Sequence, residues 1–375
     1  MTTALEIGLF TAVTIILYTF FGYPALICLL ARLWPRPVKK ANITPTVTLL
    51  IPAYNETSVI AEKLENSLAL DYPANRLGIV VVADGSTDET TTIVASFADR
   101  GIRLLFEPER RGKITAVNRA MPLLASEIVV FTDANAMLDR GTLKALTRNF
   151  ADTAVAAVAG AKRVLSGGEG LYWRYESHIK RCDSQLSSVM GAAGELFAIR
   201  RALFASTETD SIIEDFVMSM RLVGNGWRVV YEPEAVAREE SAITLRGDWQ
   251  RRTRIATGGF QAIRRLPQLL HPRQGRIAWQ YISHRVLRWA ATPFLLPLVY
   301  LLNLALWERP FYQLLLLGQT AFYMMGLWGF WRAKRGIRRG LSYAVFFFCF
   351  TNLAAIVGFW RYITDQQPVT WAKTR

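Results

Sequence analysis

The sequence predicts an α/β protein: a mostly parallel sheet domain in the middle of the chain, with one membrane span before it and three after it. Three observations predict this. From residue 45 short apolar runs alternate with helical patterns. Four segments, 7–33, 289–307, 311–331 and 343–363, each approach the ~20 apolar residues that cross a bilayer. The composition, 51% hydrophobic with a mean hydropathy of +0.19, is high for a wholly soluble protein.

The elements follow in order. TVTLLIPAY reads as a strand, SVIAEKLENSLAL as an amphipathic helix and GIVVVADG as a strand. DETTTIVASFADR is helical, GIRLLFE extended, GKITAVNRAMPLLA helical and EIVVFTD extended. Strands joined by helices of this length form right-handed βαβ units. Such sheets take ligands beyond the carboxyl ends of their strands, where YNE, ADGSTD and TDAN all fall.

Nothing basic precedes the first apolar segment, and Arg32, Arg36, Lys39 and Lys40 follow it, as expected for a retained anchor rather than a cleaved leader. Arg332, Lys334, Arg335, Arg338 and Arg339 lie between the last two spans. The positive-inside rule then puts the sheet domain in the cytoplasm and both termini outside the cell (inner) membrane. The net charge of +14 is concentrated. Residues 246–290 hold ten arginines against one acid, Asp248, in amphipathic patterns that run into a span. This reads as a surface lying on anionic membrane lipids, with no nucleic-acid partner. Cys28, Cys182 and Cys349 imply no disulfide framework or zinc site, and His178, His271 and His284 lack metal-ligand spacing. The oligomeric state is not legible.

Dinucleotide, P-loop and nucleophile-elbow motifs are absent from the sequence. Candidate chemistry rests instead on strand-end polar residues. Asp84 is either a turn aspartate or a carboxylate left free for a nucleobase or ribose, since Ser86 and Glu89 fit a capping box for the next helix. Lys113 opposes the positive end of its own helix; with Arg110 and Arg111 it is either solvated or aimed at phosphate charge. Asp133 and Asn135 either stabilise a polar turn or offer two oxygens to a divalent cation that also binds a diphosphate. Ser211 and Glu214 fit a second capping box, leaving Asp215 the freer carboxylate and a candidate base.

This ordered set, IPAYNE, ADGSTD, RGK, TDAN, GAAG, IIED and RRTRIATGG, resembles the membrane-bound family 2 glycosyltransferases of the GT-A fold, which include cellulose, hyaluronan and poly-N-acetylglucosamine synthases. The resemblance covers roughly residues 45 to 290. It implies a Rossmann-like GT-A domain over residues 43–245, after an anchor over 1–42 and before basic amphipathic interfacial helices over 246–288. Three spans and a tail complete the chain over 289–375.

Carried over by position, Ala53, Tyr54, Glu56 and Asp84 would hold the nucleoside. Lys113, Asp133 and Arg254 would meet the nucleotide-sugar, and Gly191, Gly194 and Glu214 the acceptor. Asp133 and Asn135 would bind Mg²⁺ or Mn²⁺, with Asp215 as general base. The implied activity is inverting transfer from a nucleotide-sugar, expected to be a UDP-sugar, to a membrane-associated lipid or glycan in cell-surface polysaccharide or glycolipid synthesis.

Three positions depart from the pattern. Asn135 replaces a second carboxylate, Arg251 replaces a glutamine, and Ile255 replaces the tryptophan that stacks on the growing chain in the synthases. Transfer of one or a few sugars is therefore the leading expectation. A processive exopolysaccharide synthase is the alternative, and a non-catalytic sugar-nucleotide-binding partner of a synthase complex is the alternative of another class.

Overall fold

The computed structural model describes residues 2–164, 170–239 and 244–368. The end of the predicted tail, 369–375, lies outside them.

One sheet organises the middle of the chain. Its strands are β1 (Val47–Ala53), β2 (Leu77–Asp84), β3 (Ile102–Glu107), β4 (Ile128–Phe131), β5 (Met137–Leu138), β6 (Val155–Val164), β7 (Phe197–Arg200) and β8 (Arg228–Glu239). They lie in the order β3-β2-β1-β4-β7-β6-β8-β5. The first four are mutually parallel, β7 runs antiparallel to both its neighbours, β6 and β8 are parallel, and β5 is antiparallel to β8. This is the expected α/β architecture, with helices on both faces, and the expected mostly parallel sheet also carries the antiparallel β5 and β7. The unbroken apolar runs of β1 and β2 follow from that double cover. Leu50, Val80, Val82 and Val129 pack into one core, and their neighbours Leu49, Ile51, Val81 and Val130 into the other.

The chain builds outward from β1 through β2 to β3, then returns to place β4 on the other side of β1. Strand order reverses there, which opens a crevice beyond the ends of β1 and β4. Tyr54 and Asp133 stand at its two lips. The intervening helices are shorter than their patterns suggest, Ile60–Leu68, Thr90–Ala95 and Lys113–Ala120, with the expected remainders tightening into 3₁₀ turns at 98–100 and 121–123.

Among the described residues, four helices are long and apolar enough to cross a membrane: Thr3–Leu33, Arg276–Ala305, Pro310–Lys334 and Leu341–Ile363. The second starts well before the expected residue 289, so Arg285 and Arg288 belong to its helix rather than to an interfacial segment. Their charges are met by Glu176, 3.0 Å from Arg285 and 2.9 Å from Arg288. The helix Leu245–Arg265 also departs from the expectation of a surface resting on lipid. It packs on the last span through Trp249 against Phe350 and Phe260 against Phe359. Several of its arginines turn inward to protein carboxylates: Arg251 to Glu195, Arg252 to Asp248 and Arg265 to Asp210.

The cysteine expectation is corrected as well. Cys28 and Cys182 are joined, although 154 residues separate them. The end of the first span lies along the helix Gly170–Leu186, where Tyr23, Ile27 and Ala31 pack with Ile179, Cys182 and Leu186. His178 sits beside this bridge, 3.3 Å from the Cys28 sulfur. A one-dimensional reading had no means of bringing these positions together.

Contact between the Leu245–Arg265 helix and the last span depends on Gly358. A Cβ there would stand 2.7 Å from the Ala256 methyl and 3.0 Å from the Thr253 carbonyl oxygen. Gly358→Val is expected to cost about 1–3 kcal/mol through overpacking. The check is the thermal midpoint of the detergent-solubilised protein.

Candidate active site

Beyond the strand ends lies a cavity of about 1240 Å³. It reaches from Ala53, Tyr54, Glu56 and Asp84 through Lys113, Asp133, Asn135, Gly194, Glu214, Asp215 and Arg254 to side chains of the last span. The described structure therefore brings together every predicted site residue except Gly191. That residue does not line the cavity. Its φ of 98° and a Cβ position 2.2 Å from the Phe216 ring make it a backbone requirement beneath the site rather than an acceptor contact.

Lys113 is the hub. It opens the helix Lys113–Ala120, and its ammonium donates to Asp133 Oδ1 at 2.8 Å and lies 3.3 Å from Glu214 Oε1. Burial opposes its charge, but Asp133, Glu214 and Asp215 outweigh burial and hold its pKa above the usual lysine value. The compact basic cluster expected with Arg110 and Arg111 does not form. Arg110 lies over the Tyr54 ring at 3.7 Å, and Arg111 pairs with Glu109 at the surface.

Asp84 is not left free. It accepts from the Arg111 amide at 3.1 Å and the Gly112 amide at 2.6 Å, which fixes the turn that delivers Lys113. Neither capping box forms. Asp88, rather than Ser86, accepts from the first amide of the helix Thr90–Ala95, at 3.0 Å, and the Ser86 hydroxyl accepts from the Asn55 amide instead. The helix Glu214–Gly224 begins at Glu214 itself after Ile213, so Glu214 is spent on Lys113 rather than on capping. Both acids still gain from the positive end of that helix.

Asp215 has the most unusual electrostatics. Burial, then Glu214, raise its carboxyl to about 7 against the pull of Lys113. Gly194 makes room for this pairing of groups: a Cβ there would lie 2.9 Å from Lys113 Nζ and 3.5 Å from Asp215 Oδ2. Arg254 reaches the same cavity, where burial lowers its pKa while Glu214, Asp215 and Asp133 favour its charge.

A divalent cation fits the donor set. Asp133 and Asn135 share one turn open to the cavity and supply a carboxylate and an amide, hard oxygen chemistry suited to Mg²⁺ or Mn²⁺ with diphosphate oxygens completing the shell. The ammonium on Asp133 Oδ1 already marks that carboxylate as a seat for positive charge.

Several contributors escaped the sequence reading. Glu195 ends the GAAGE loop and pairs with Lys162 at 2.6 Å and Arg251 at 3.0 Å. Burial would raise its pKa, but those two cations hold it well below the usual carboxylate range. Lys162 also meets Glu239, and Glu239 is raised by burial and by Glu195. Lys63 is fully buried beneath the TDANA turn. It donates to Thr132 Oγ1 at 3.0 Å and to the Ala136 carbonyl, so it grips both ends of TDANA. Thr132 Oγ1 in turn donates to the Glu195 carbonyl at 3.1 Å. Burial lowers the Lys63 pKa to about 7. One signal was available: Lys63 shares the helical face of Ile60, Leu64 and Ser67, where a lysine has no reason to be unless something buried needs it.

Comparisons with known proteins identify the fold and the family. A family model described as glycosyltransferase like family 2 matches residues 45–258, more than half of the chain. A poly-beta-1,6-N-acetyl-D-glucosamine synthase of Staphylococcus aureus is 28% identical over 231 residues, covering 58% of this chain and 56% of that protein. A beta-monoglucosyldiacylglycerol synthase of Nostoc sp. is 29% identical over 261 residues, covering 65% and 55%. The chain thus spans about half the length of these curated relatives. A mannosyltransferase from Pyrobaculum calidifontis, solved with GDP-Man and Mn²⁺, aligns over 97% of this chain and 100% of its own, with a TM-score of 0.76 and 26% identity.

The Lys63 clamp gives a test of the metal turn. Lys63→Met removes a buried donor without touching a cavity-lining residue, and loss of such outer support typically costs 10–100-fold in metal affinity. Metal-dependent donor binding should weaken by at least about tenfold, measured by titrating Mn²⁺ at fixed nucleotide-sugar, while circular dichroism stays unchanged.

Proposed function

The chain belongs to glycosyltransferase family 2, and we propose that it is an inverting, metal-dependent transferase acting on a membrane-associated acceptor. One observation carries the reading: Asp215, a carboxylate raised to about 7, shares a cavity with a cation-ready turn and two fixed positive side chains. A base tuned near neutrality is what proton abstraction from a hydroxyl requires.

Asp215 takes the proton of the acceptor hydroxyl as that oxygen forms its bond to the anomeric carbon from the face opposite the leaving group. The bond from the anomeric carbon to the diphosphate breaks, and the nucleoside diphosphate leaves with the electron pair. Lys113 and Arg254 stabilise the developing negative charge. Asp133 and Asn135 would hold Mg²⁺ or Mn²⁺, whose contribution when bound is Lewis-acid neutralisation of the diphosphate. Glu214 keeps Lys113 in place between Asp133 and the base. Tyr54, beneath Arg110, offers a flat surface to a nucleobase.

The resemblance favours a UDP-sugar donor; GDP-mannose, present in the Pyrobaculum neighbour, is its competitor. The basic clusters at 32–40 and 332–339 favour a catalytic domain on the cytoplasmic face of the inner membrane with both termini outside. A processive synthase is the second reading, favoured by similarity to the Staphylococcus protein. Ile255 argues against it, because the cavity has no aromatic ring at that position to hold a growing chain.

The pH profile tests the base. Transfer should rise with pH through about 7 as Asp215 loses its proton, and kcat/KM against pH should show that acid limb. Asp215→Asn should keep donor binding and lose transfer. Folding raises the Asp215 pKa, so the stability it contributes at low pH is lost as pH rises through about 7. The same variant should therefore melt higher than wild type at pH 8. Retained turnover would refute the assignment.

Asn135 tests the metal. Asn135→Ala should weaken the metal dependence of donor turnover, and Asn135→Asp should strengthen it. An unchanged Mn²⁺ requirement in both would return Asn135 to a turn role.

A further inference from the structure

The corner where the first span meets the helix Gly170–Leu186 carries chemistry that the transfer reaction does not use. His178 and Cys182 stand one turn apart on one face of that helix, and Cys28 comes across from the first span. His178 Nε2 lies 3.3 Å from Cys28 Sγ and 3.9 Å from Cys182 Sγ. The three ligand atoms all lie within 4.8 Å of one another.

These separations fit a metal centre. A tetrahedral zinc ion, with Zn–S of about 2.3 Å and Zn–N of about 2.0 Å, spaces a sulfur and a nitrogen by roughly 3.6 Å. Two sulfurs and an imidazole are also the donors that thiophilic cations select, whereas the Asp133 turn offers hard oxygens. The packing that brings them together does not depend on an ion. Tyr23, Ile27 and Ala31 of the span pack with Ile179 and Leu186, and the Tyr175 hydroxyl donates to the Phe20 carbonyl at 2.7 Å. His178 is exposed beside buried Cys182, so ions and reductants reach the sulfurs from solvent.

We infer that Cys28, His178 and Cys182 bind Zn²⁺ when the bridge is open, with the fourth position left to water. The inference rests on the cytoplasmic placement proposed above, because thiols are kept reduced in that compartment. A cytoplasmic dithiol opens the bridge by giving two electrons and two protons, and itself becomes a disulfide. Each cysteine thiol then loses its proton as its sulfur takes the cation. With Cα atoms 5.0 Å apart, χ1 rotation lets the sulfurs part to the roughly 3.8 Å of a tetrahedral pair. The ion then replaces the bridge as the tie between the first span and the helix that presents Tyr172, Glu176 and Lys180 to the cavity.

The test uses the full chain in neutral detergent, reduced and oxidised, with Co²⁺ as the coloured stand-in for Zn²⁺. Thiols counted after denaturation identify each state: one in the bridged chain, from Cys349, and three in the reduced chain. The reduced chain should take up Co²⁺ with thiolate-to-metal charge-transfer absorption that Zn²⁺ abolishes, and the bridged chain should show none. Oxygen donors at Asp133 and Asn135 cannot produce that band. Cys28→Ser and His178→Ala should each weaken Zn²⁺ binding at least about tenfold, the least that losing even an outer partner costs. Mn²⁺-dependent donor binding should stay unchanged in both.

A reduced chain without the thiolate band, or a band that survives both substitutions unchanged, would overturn the site. So would a bridge that the reductant leaves closed in the folded chain. Alkylating whole cells before lysis should find Cys28 and Cys182 open. A closed bridge there, with the band intact in the purified reduced chain, would support the site and sink the cytoplasmic placement.

Discussion

The ammonium of Lys113, held between Asp133 and Glu214, is the interaction on which the site depends. Asp133, Glu195, Glu214, Asp215 and Glu239 are among the carboxylates that line one cavity. Like charges at such spacing cannot all ionise without compensation. Lys113 answers three of them, while Lys162 and Arg251 answer Glu195. Against the pull of Lys113, burial and Glu214 leave Asp215 poised near neutrality. The base is thus defined as much by the satisfaction of its neighbours as by its own surroundings.

This electrostatic arrangement is positioned by backbone. Asp84 fixes the amides of residues 111 and 112, so the end of β2 determines where Lys113 starts its helix. Lys63 and Thr132 tie the Asp133 turn to the Glu195 carbonyl, so the end of β4 and the GAAGE loop move as one piece. The reversal of strand order at β1 and β4 brings these two assemblies face to face. The interior carries a fully buried lysine to achieve this, a costly choice made tolerable by neutral oxygen acceptors and a depressed pKa.

Much of this was legible in one dimension, for identifiable reasons. Alternation of apolar runs and helical periods gave the sheet order's parallel half, strand-end polar residues gave Asp84 and Asp133, and charges at helix starts gave Lys113 and Asp215. The misses share one cause: they depend on partners distant in sequence. Ser86 and Ser211 fit local capping rules, yet Asp88 and Lys113 supply the competing contacts. Cys28 and Cys182 could be joined only once the first span was known to lie on the helix Gly170–Leu186. The arginines after residue 246 signalled a basic surface by count, whereas their carboxylate partners Glu195, Asp210 and Glu176 come from other parts of the chain. Local sequence fixes which charges exist; the fold decides which of them are answered.

The same logic explains why one cavity joins the catalytic carboxylates to the last span. A base near neutrality needs a water-poor environment, and the wall opposite Asp215 must therefore be protein or acceptor rather than open solvent. Building that wall from the last span and the helix Leu245–Arg265 provides the burial and also opens a route for an amphiphile from the side. Gly358 lets those two helices touch closely enough to hold Arg254 at the carboxylates, and Thr257 secures the contact through the Gly358 carbonyl at 3.2 Å. A soluble lid would have to open for each acceptor and would flood the base each time. In the proposed reading, a membrane-facing wall would avoid this cycle, because an amphiphilic acceptor would bring its own apolar surface and complete the enclosure. In the proposed reading, desolvation of the base and selection of a membrane-borne acceptor would be the same structural feature.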